Sequence, residues 1–98
     1  MFHHVVMMRI SESADQAYHD KVEHYAERVR KEVPGIVSYD YGENGADRGR
    51  GFNFAIISVF EGEAAHDAYQ ASAVHVELSD YMTPFIEDMV VCDLTAAM

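Results

Sequence analysis

The stretch FNFAIISVF, residues 52–60, carries apolar side chains on both of the faces that a β-strand presents. Successive side chains of a strand point to opposite sides of its sheet. One face would carry Phe52, Phe54, Ile56 and Phe60, and the other would carry Ala55, Ile57 and Val59. A strand of this kind belongs in a sheet that is covered on both sides, so the fold must supply a cover for each face.

The segments around this strand predict a chain that mixes helices and strands. Residues 2–10, FHHVVMMRI, are again apolar on both faces and are too short for a typical helix. Residues 13–33 repeat apolar positions every three or four residues, as an amphipathic helix does, and Ser13 with Gln16 matches a capping box at its start. The remaining predicted elements are a strand at 36–42, helical pieces at about 62–71 and 74–83, and a strand at 88–95.

The order of these elements, βαββαβ, favours a ferredoxin-like α+β sandwich, which we assign to a single domain over residues 1–98. The predicted helices are enough to cover one face of its sheet, whereas the first and third strands are apolar on both faces. We therefore expect a second copy of the chain to cover the other face, sheet against sheet. The result would be a homodimer with a dimeric α+β barrel inside it.

The charge and the cysteine content restrict the classes of binding partner and the cellular location that we expect. Seventeen acidic against seven basic residues give a formal net charge of -10, which repels phosphate backbones and anionic lipids. We therefore expect neither a nucleic-acid nor a membrane partner. Cys92 is the single cysteine and cannot form an internal disulfide, which fits a cytoplasmic location. The N-terminus lacks the features of a signal peptide, and we expect a complete chain.

Five stretches of the sequence resemble the stress-responsive dimeric α/β-barrel (Dabb) family, in order and over essentially the full chain. They are HHVVMMRI, VPGI, GFNFAIISVFEGEAAHDAYQ, VHVEL and VVCDLT. The resemblance implies a homodimer in which the two sheets face each other. It also implies a small pocket between the sheet and the helices of each subunit, suited to an apolar or aromatic small molecule, with no reaction assigned.

The resemblance also implies site residues. The family includes a plant polyketide cyclase, whose acid/base pair is a tyrosine on the helix after the third strand and a histidine six residues later. The matching positions are Tyr69 and His75, which become the catalytic candidates, with His4 on the first strand as a ligand-binding candidate. Phe54, which stands where the cyclase has a pocket histidine, and Tyr25 of the first helix complete the predicted ligand-binding set.

Tyr69 and His75 can meet only if the helix between them is broken. In one continuous helix they would lie about 240° apart around the axis. Where the family usually has the sequence HPAH, this chain has SAVH, with Ala73 in place of the proline. Ser72 can serve as the N-cap of a new helix, which would bring the imidazole within about 3 to 4 Å of the phenol oxygen, directly or through one water. Three interpretations stay open: a catalytic pair, a ligand-contacting pair and a structural pair.

Three classes of function therefore stay open. They are a ligand-binding Dabb protein, a cyclase or isomerase that uses Tyr69 and His75, and a monooxygenase of the antibiotic-biosynthesis type, which shares the fold. We predict no cofactor and no metal site. The cluster His19, Asp20, Glu23 and His24 lacks the HExxH order and lies off the apolar stripe, so we interpret it as solvated surface.

Overall fold

A computed structural model describes residues 1–97, so Met98, the last residue of the predicted domain, lies outside the described residues. The predicted order βαββαβ is confirmed. No helix in the described chain is long and apolar enough to cross a membrane. The elements are β1 (Phe2–Ile10), α1 (Gln16–Glu32), β2 (Ile36–Glu43), β3 (Phe54–Phe60), α2 (Glu63–Gln70), α3 (Ala73–Met82), a short 3-10 turn (Thr83–Phe85) and β4 (Ile86–Thr95).

The four strands form one antiparallel sheet in the order β2-β3-β1-β4. The two strands that the sequence predicts to be apolar on both faces, β1 and β3, therefore lie side by side at its centre, and β2 and β4 form its edges. In their register Val6 of β1 lies opposite Ile56 of β3 and Val91 of β4. This is the ferredoxin-like α+β fold that the sequence predicts.

The helices pack against one face of this sheet, and the core lies between them. From α1, the stripe of Tyr18, Val22, Ala26 and Val29 is buried. The buried strand residues with which it shares the core all point to the same face of the sheet: Phe2, Met8, Ile10, Tyr39, Ile56 and Phe60. Removing these apolar side chains from water is the main source of stability in a chain of this size.

The opposite face of the sheet has no helix of residues 1–97 over it. Val5 lies opposite both Ile57 and Cys92 in the register, so these three side chains share this open face. Ile57, Val90 and Leu94 are 51%, 51% and 59% exposed. Exposed apolar side chains therefore lie on the face for which the sequence predicts a separate cover.

The start of α1 differs from its prediction. The N-cap is Asp15, whose carboxylate accepts a hydrogen bond of 2.9 Å from the backbone N–H of Tyr18. Ser13 instead bonds to the hydroxyl of Ser11 in the preceding turn. The capping-box prediction at Ser13 and Gln16 is therefore wrong, because the carboxylate of Asp15 lies closer to the first turn of the helix and satisfies its N–H group.

The predicted break between the two later helices is confirmed, and Ser72 forms it. Its hydroxyl donates to the carbonyl of Tyr69, at 2.6 Å, and accepts from the backbone N–H of His75, at 3.3 Å. The same oxygen therefore serves the end of α2 and the beginning of α3.

We expect Ser72→Ala to lower the free energy of unfolding by about 1 kcal/mol, because it removes the N-cap of α3. Urea denaturation followed by circular dichroism measures this change. Ser13→Ala is the matched control, since Ser13 is exposed and caps no helix. Equal losses in the two variants would show that the hydroxyl of Ser72 does not hold the break.

Candidate functional site

A cavity of about 280 Å³ lies between the sheet and the α2 and α3 helices. Most of its wall is apolar. The apolar side chains come from β1, β3, β4 and α3: Val6, Met8, Ile56, Leu78, Met82, Met89 and Val91. Met89 and Val91 are about half exposed, so the cavity opens to solvent along β4. Its polar side chains include His4, Tyr39, Tyr69, His75 and Asp93.

Tyr39 of β2 and Tyr69 of α2 form a buried pair on the cavity wall. Their hydroxyl groups are hydrogen-bonded to each other at 2.8 Å, and both side chains are almost fully buried. Burial raises the pKa of Tyr69 to about 12 and that of Tyr39 well above its ordinary range, because a phenolate loses its hydration there. Both phenols therefore stay protonated at neutral pH and can donate a hydrogen bond.

His75 lies beside Tyr69, in contact with its ring. The two ring centroids are 4.7 Å apart in an edge-to-face arrangement. The Nδ1 of His75 bonds to the carbonyl oxygen of Gln70 at 3.1 Å, and since a carbonyl can only accept, Nδ1 carries the proton. The neutral ring then keeps its lone pair on Nε2. Burial lowers the pKa of His75, which favours this neutral form.

A direct hydrogen bond between His75 and Tyr69 is not formed among the described residues. The Tyr69 hydroxyl pairs with Tyr39, and the Nδ1 of His75 pairs with a backbone carbonyl. The break at Ser72 brings the two rings together as expected, in an edge-to-face contact. His75 and Tyr69 nevertheless line one cavity.

A second polar group lies at the β1 and β4 side of the cavity and joins His4 to His66 and Asp93, which were not among the predicted site residues. His4 is buried, and its Nδ1 lies 2.5 Å from a carboxylate oxygen of Asp93 on β4. His66 of α2 packs against His4, with ring centroids 4.3 Å apart. Burial is the main cause that lowers the pKa of His66, and the nearby His4 lowers it further.

Both missed residues leave a signal in the sequence. His66 precedes Tyr69 by three positions, so the two share one face of a short helix. Asp93 alternates with Met89 and Val91, so it is a polar residue on the inward face of a strand. A polar side chain in such an apolar pattern indicates either a buried hydrogen bond or a site.

The structure places Phe54 and Tyr25 outside this cavity. Phe54 stacks on His19 of α1, with centroids 4.4 Å apart, at the end of β3 that pairs with Glu43. His19 is half-buried, and its Nδ1 bonds to the Tyr41 hydroxyl at 2.8 Å, so its interpretation as solvated surface is wrong. Tyr25 packs against Tyr81, with ring centroids 5.8 Å apart, and neither residue lines the cavity.

Comparison with known proteins identifies the family. The model of the stress responsive A/B barrel domain, Dabb, matches residues 2–96, and the chain belongs to this family. No curated protein sequence matches the chain.

Solved structures share the fold at low sequence identity. A dimeric ferredoxin-like protein of unknown function from Jannaschia sp. is 18% identical, with a TM-score of 0.85 over 97% of this chain and 98% of that one. Hydroxynitrile lyase from Passiflora edulis is 20% identical, with a TM-score of 0.84 over 99% and 94%. A putative antibiotic biosynthesis monooxygenase from Nitrosomonas europaea is 13% identical, with a TM-score of 0.82 over 100% of both chains.

We expect the low pKa of His75 to make the protein less stable in mild acid. Because the folded-state pKa lies below the unfolded value of about 6.5, the unfolded chain binds more protons between the two. The contribution of His75 is therefore fully present above about pH 6.5 and is lost as the pH falls through the folded-state pKa.

Thermal melts of wild type and His75→Gln between about pH 8 and pH 5 test this expectation. The loss of melting temperature on acidification should be smaller in His75→Gln. His24→Gln serves as the control, since His24 is exposed on α1. An identical pH dependence in wild type and His75→Gln would contradict the lowered pKa.

Proposed function

We propose that this protein is a homodimeric Dabb protein that binds a small apolar or aromatic molecule in the cavity between the sheet and the α2 and α3 helices. The observation that carries the proposal is the cavity itself. It has largely apolar walls and two converging polar groups, one around Tyr69 and His75 and one around His4. Apolar cavities with a few placed polar groups are typical of small-molecule sites.

The dimer follows from the open face of the sheet. Its exposed apolar side chains, among them Ile57, Val90 and Leu94, form a patch that is unfavourable in water. The longer principal axes of the chain, 35 and 29 Å, leave room on this face for the roughly 800 Å² per partner that a stable interface buries. The Jannaschia protein, which shares the fold, is described as dimeric.

We expect Ile57→Glu to abolish the dimer or unfold the chain, because it places an unpaired charge in the interface. Val59→Glu, on the same face, should do the same. Val76→Glu is a closely matched control, since Val76 on α3 is also 51% exposed but lies away from the sheet. Sedimentation velocity at micromolar concentrations distinguishes the outcomes. A monomeric wild type, or dimers unaffected by both sheet substitutions, would contradict the proposed interface.

A second candidate function is acid/base catalysis in the same cavity, and the tautomer of His75 favours it. With its Nδ1 proton donated to Gln70, His75 keeps a basic lone pair on Nε2. This lone pair can take a proton from the carbon next to a carbonyl group, and the electron pair of the broken C–H bond then forms an enolate. The protonated hydroxyl of Tyr69 donates to the enolate oxygen, and the imidazolium exchanges its proton with solvent and then protonates the carbon.

The monooxygenase alternative has only the shared fold in its favour. The Nitrosomonas protein is 13% identical, and a similarity at this level supports a shared fold but not a shared reaction. The cavity offers an imidazole base and phenol donors, which are the groups that enolate chemistry uses.

We expect the protein to bind acetophenone and to speed the exchange of its methyl hydrogens for deuterium in D2O. Saturation-transfer NMR measures binding, and loss of the methyl signal measures exchange, both in the presence of EDTA. His75→Ala should lower the exchange rate by a factor of at least about 100. Tyr69→Phe should also slow the exchange. His24→Ala is the control for an exposed histidine.

The two readouts separate the two candidate functions. Binding without exchange supports the ligand-binding function and contradicts catalysis by His75. Exchange that persists in His75→Ala at the wild-type rate contradicts the assigned base. Failure of acetophenone to bind would mean that the cavity does not accept simple aromatic ketones.

A further inference from the structure

Three side chains of the kind that bind transition metals meet at the edge of the cavity, and they come from three different elements. His4 lies on β1, His66 on α2 and Asp93 on β4. One ligand atom from each lies within 4.8 Å of the others. These residues are far apart in sequence, so the fold brings them together rather than any local spacing.

His66 supplies the independent observation that points to a ligand. It is 4% exposed, and its Nε2 atom is buried without a hydrogen-bond partner in the part of the chain that the structure describes. Aromatic rings surround it, with the centroids of Phe2 at 4.6 Å and Phe60 at 5.2 Å. An apolar side chain would pack there without leaving a nitrogen unpaired. The buried imidazole nitrogen is stabilised by a hydrogen-bond or metal partner, and residues 1–97 do not provide one.

We propose that His4, His66 and Asp93 bind a divalent transition-metal ion, for which Zn²⁺ is the best match. Two imidazole nitrogens and one carboxylate oxygen are ligands that Zn²⁺ takes in sites that keep a fourth position open. The ion would accept a lone pair from one imidazole nitrogen of His66. This inference stands apart from the organic ligand and the reaction proposed above.

The donors must rearrange to hold an ion. Ligands bound to a tetrahedral Zn²⁺ at about 2.0 to 2.2 Å lie about 3.3 to 3.6 Å from one another. His4 and Asp93 are closer, at 2.5 Å, because they are hydrogen-bonded directly. The Asp93 side chain is 43% exposed and lies on the edge strand, so it is the ligand that can rotate to admit the ion.

The charges around the site favour a cation. Asp93 and Asp67 both place negative charge near the imidazole of His66. The whole chain carries a formal net charge of -10, which raises the local concentration of cations. A metal held by His4 and Asp93 borders the cavity, because both of these side chains line it. Its open position would therefore face water or an oxygen atom of a bound molecule.

Metal titrations of the purified full-length protein test the proposal. All variants carry Cys92→Ser, because the exposed thiol of Cys92 is a Zn²⁺ ligand in its own right. Isothermal titration with Zn²⁺ at pH 7.5 should give one site per chain with a dissociation constant of about 1 µM or lower. Co²⁺ should give the visible absorption bands of a tetrahedral site, and Zn²⁺ should raise the melting temperature.

Two substitutions address the ligands separately. His66→Phe fills the aromatic surroundings without a ligand atom, and Asp93→Ala removes the exposed carboxylate. Each should weaken Zn²⁺ binding by more than about 100-fold, because even changes outside the ligand set cost 10- to 100-fold. His66→Phe should also abolish the Co²⁺ bands. His24→Gln, which removes an exposed histidine of α1, should bind as the parent does.

Several results would overturn the proposal. The absence of saturable Zn²⁺ binding by the parent protein is one, and parent-like affinity in a folded His66→Phe variant is another. If circular dichroism shows that His66→Phe does not fold, Asp93→Ala decides, and an unchanged affinity there refutes the site. Because the ketone exchange is measured with EDTA, its success or failure is independent of this outcome.

Discussion

The burial of one face of the sheet beneath α1 is the constraint on which the rest of the structure depends. The helix has 17 residues and is therefore about 25 Å long, and its apolar stripe packs into the core beside β2 and α3. The shorter α2 and α3 helices cover the side of β1 and β4. Because they are short and bent at Ser72, they do not fill the space above these strands, and the cavity is the volume that remains.

The polar groups of the cavity fall into two sets with different chemistry. Tyr39 and Tyr69 share one hydrogen bond between their hydroxyls in a buried environment and stay uncharged, so one hydroxyl proton of the pair remains available to a ligand. His4 and Asp93 form a pair that can carry charge, at the side open to solvent. His75 lies near the first set with a basic nitrogen, so a bound molecule would meet donors and a base in the same small volume.

Local sequence patterns predict much of the fold because they report on interactions within a few residues. The stripe of α1 and the capping position of Ser72 are of this kind, and both are confirmed. The partner of the Tyr69 hydroxyl is not, because it depends on a β2 residue 30 positions away, whose place is fixed by sheet register. The position of His66 in the site was not predicted for the same reason. Its neighbour His4 comes from β1, and its burial follows from tertiary packing.

The position of β4 at the edge of the sheet has a consequence for the lifetime of the site. In the single chain this strand is bonded to β1 alone, and all its residues after Ile86 are exposed. Its amides should therefore exchange with solvent through local opening, at a lower free energy than the global unfolding that exposes the α1 core. Each such opening withdraws Asp93 from His4 and removes one wall of the cavity while the rest of the fold stays intact. The integrity of the site is then set by the fraying of its last strand rather than by the stability of the whole domain.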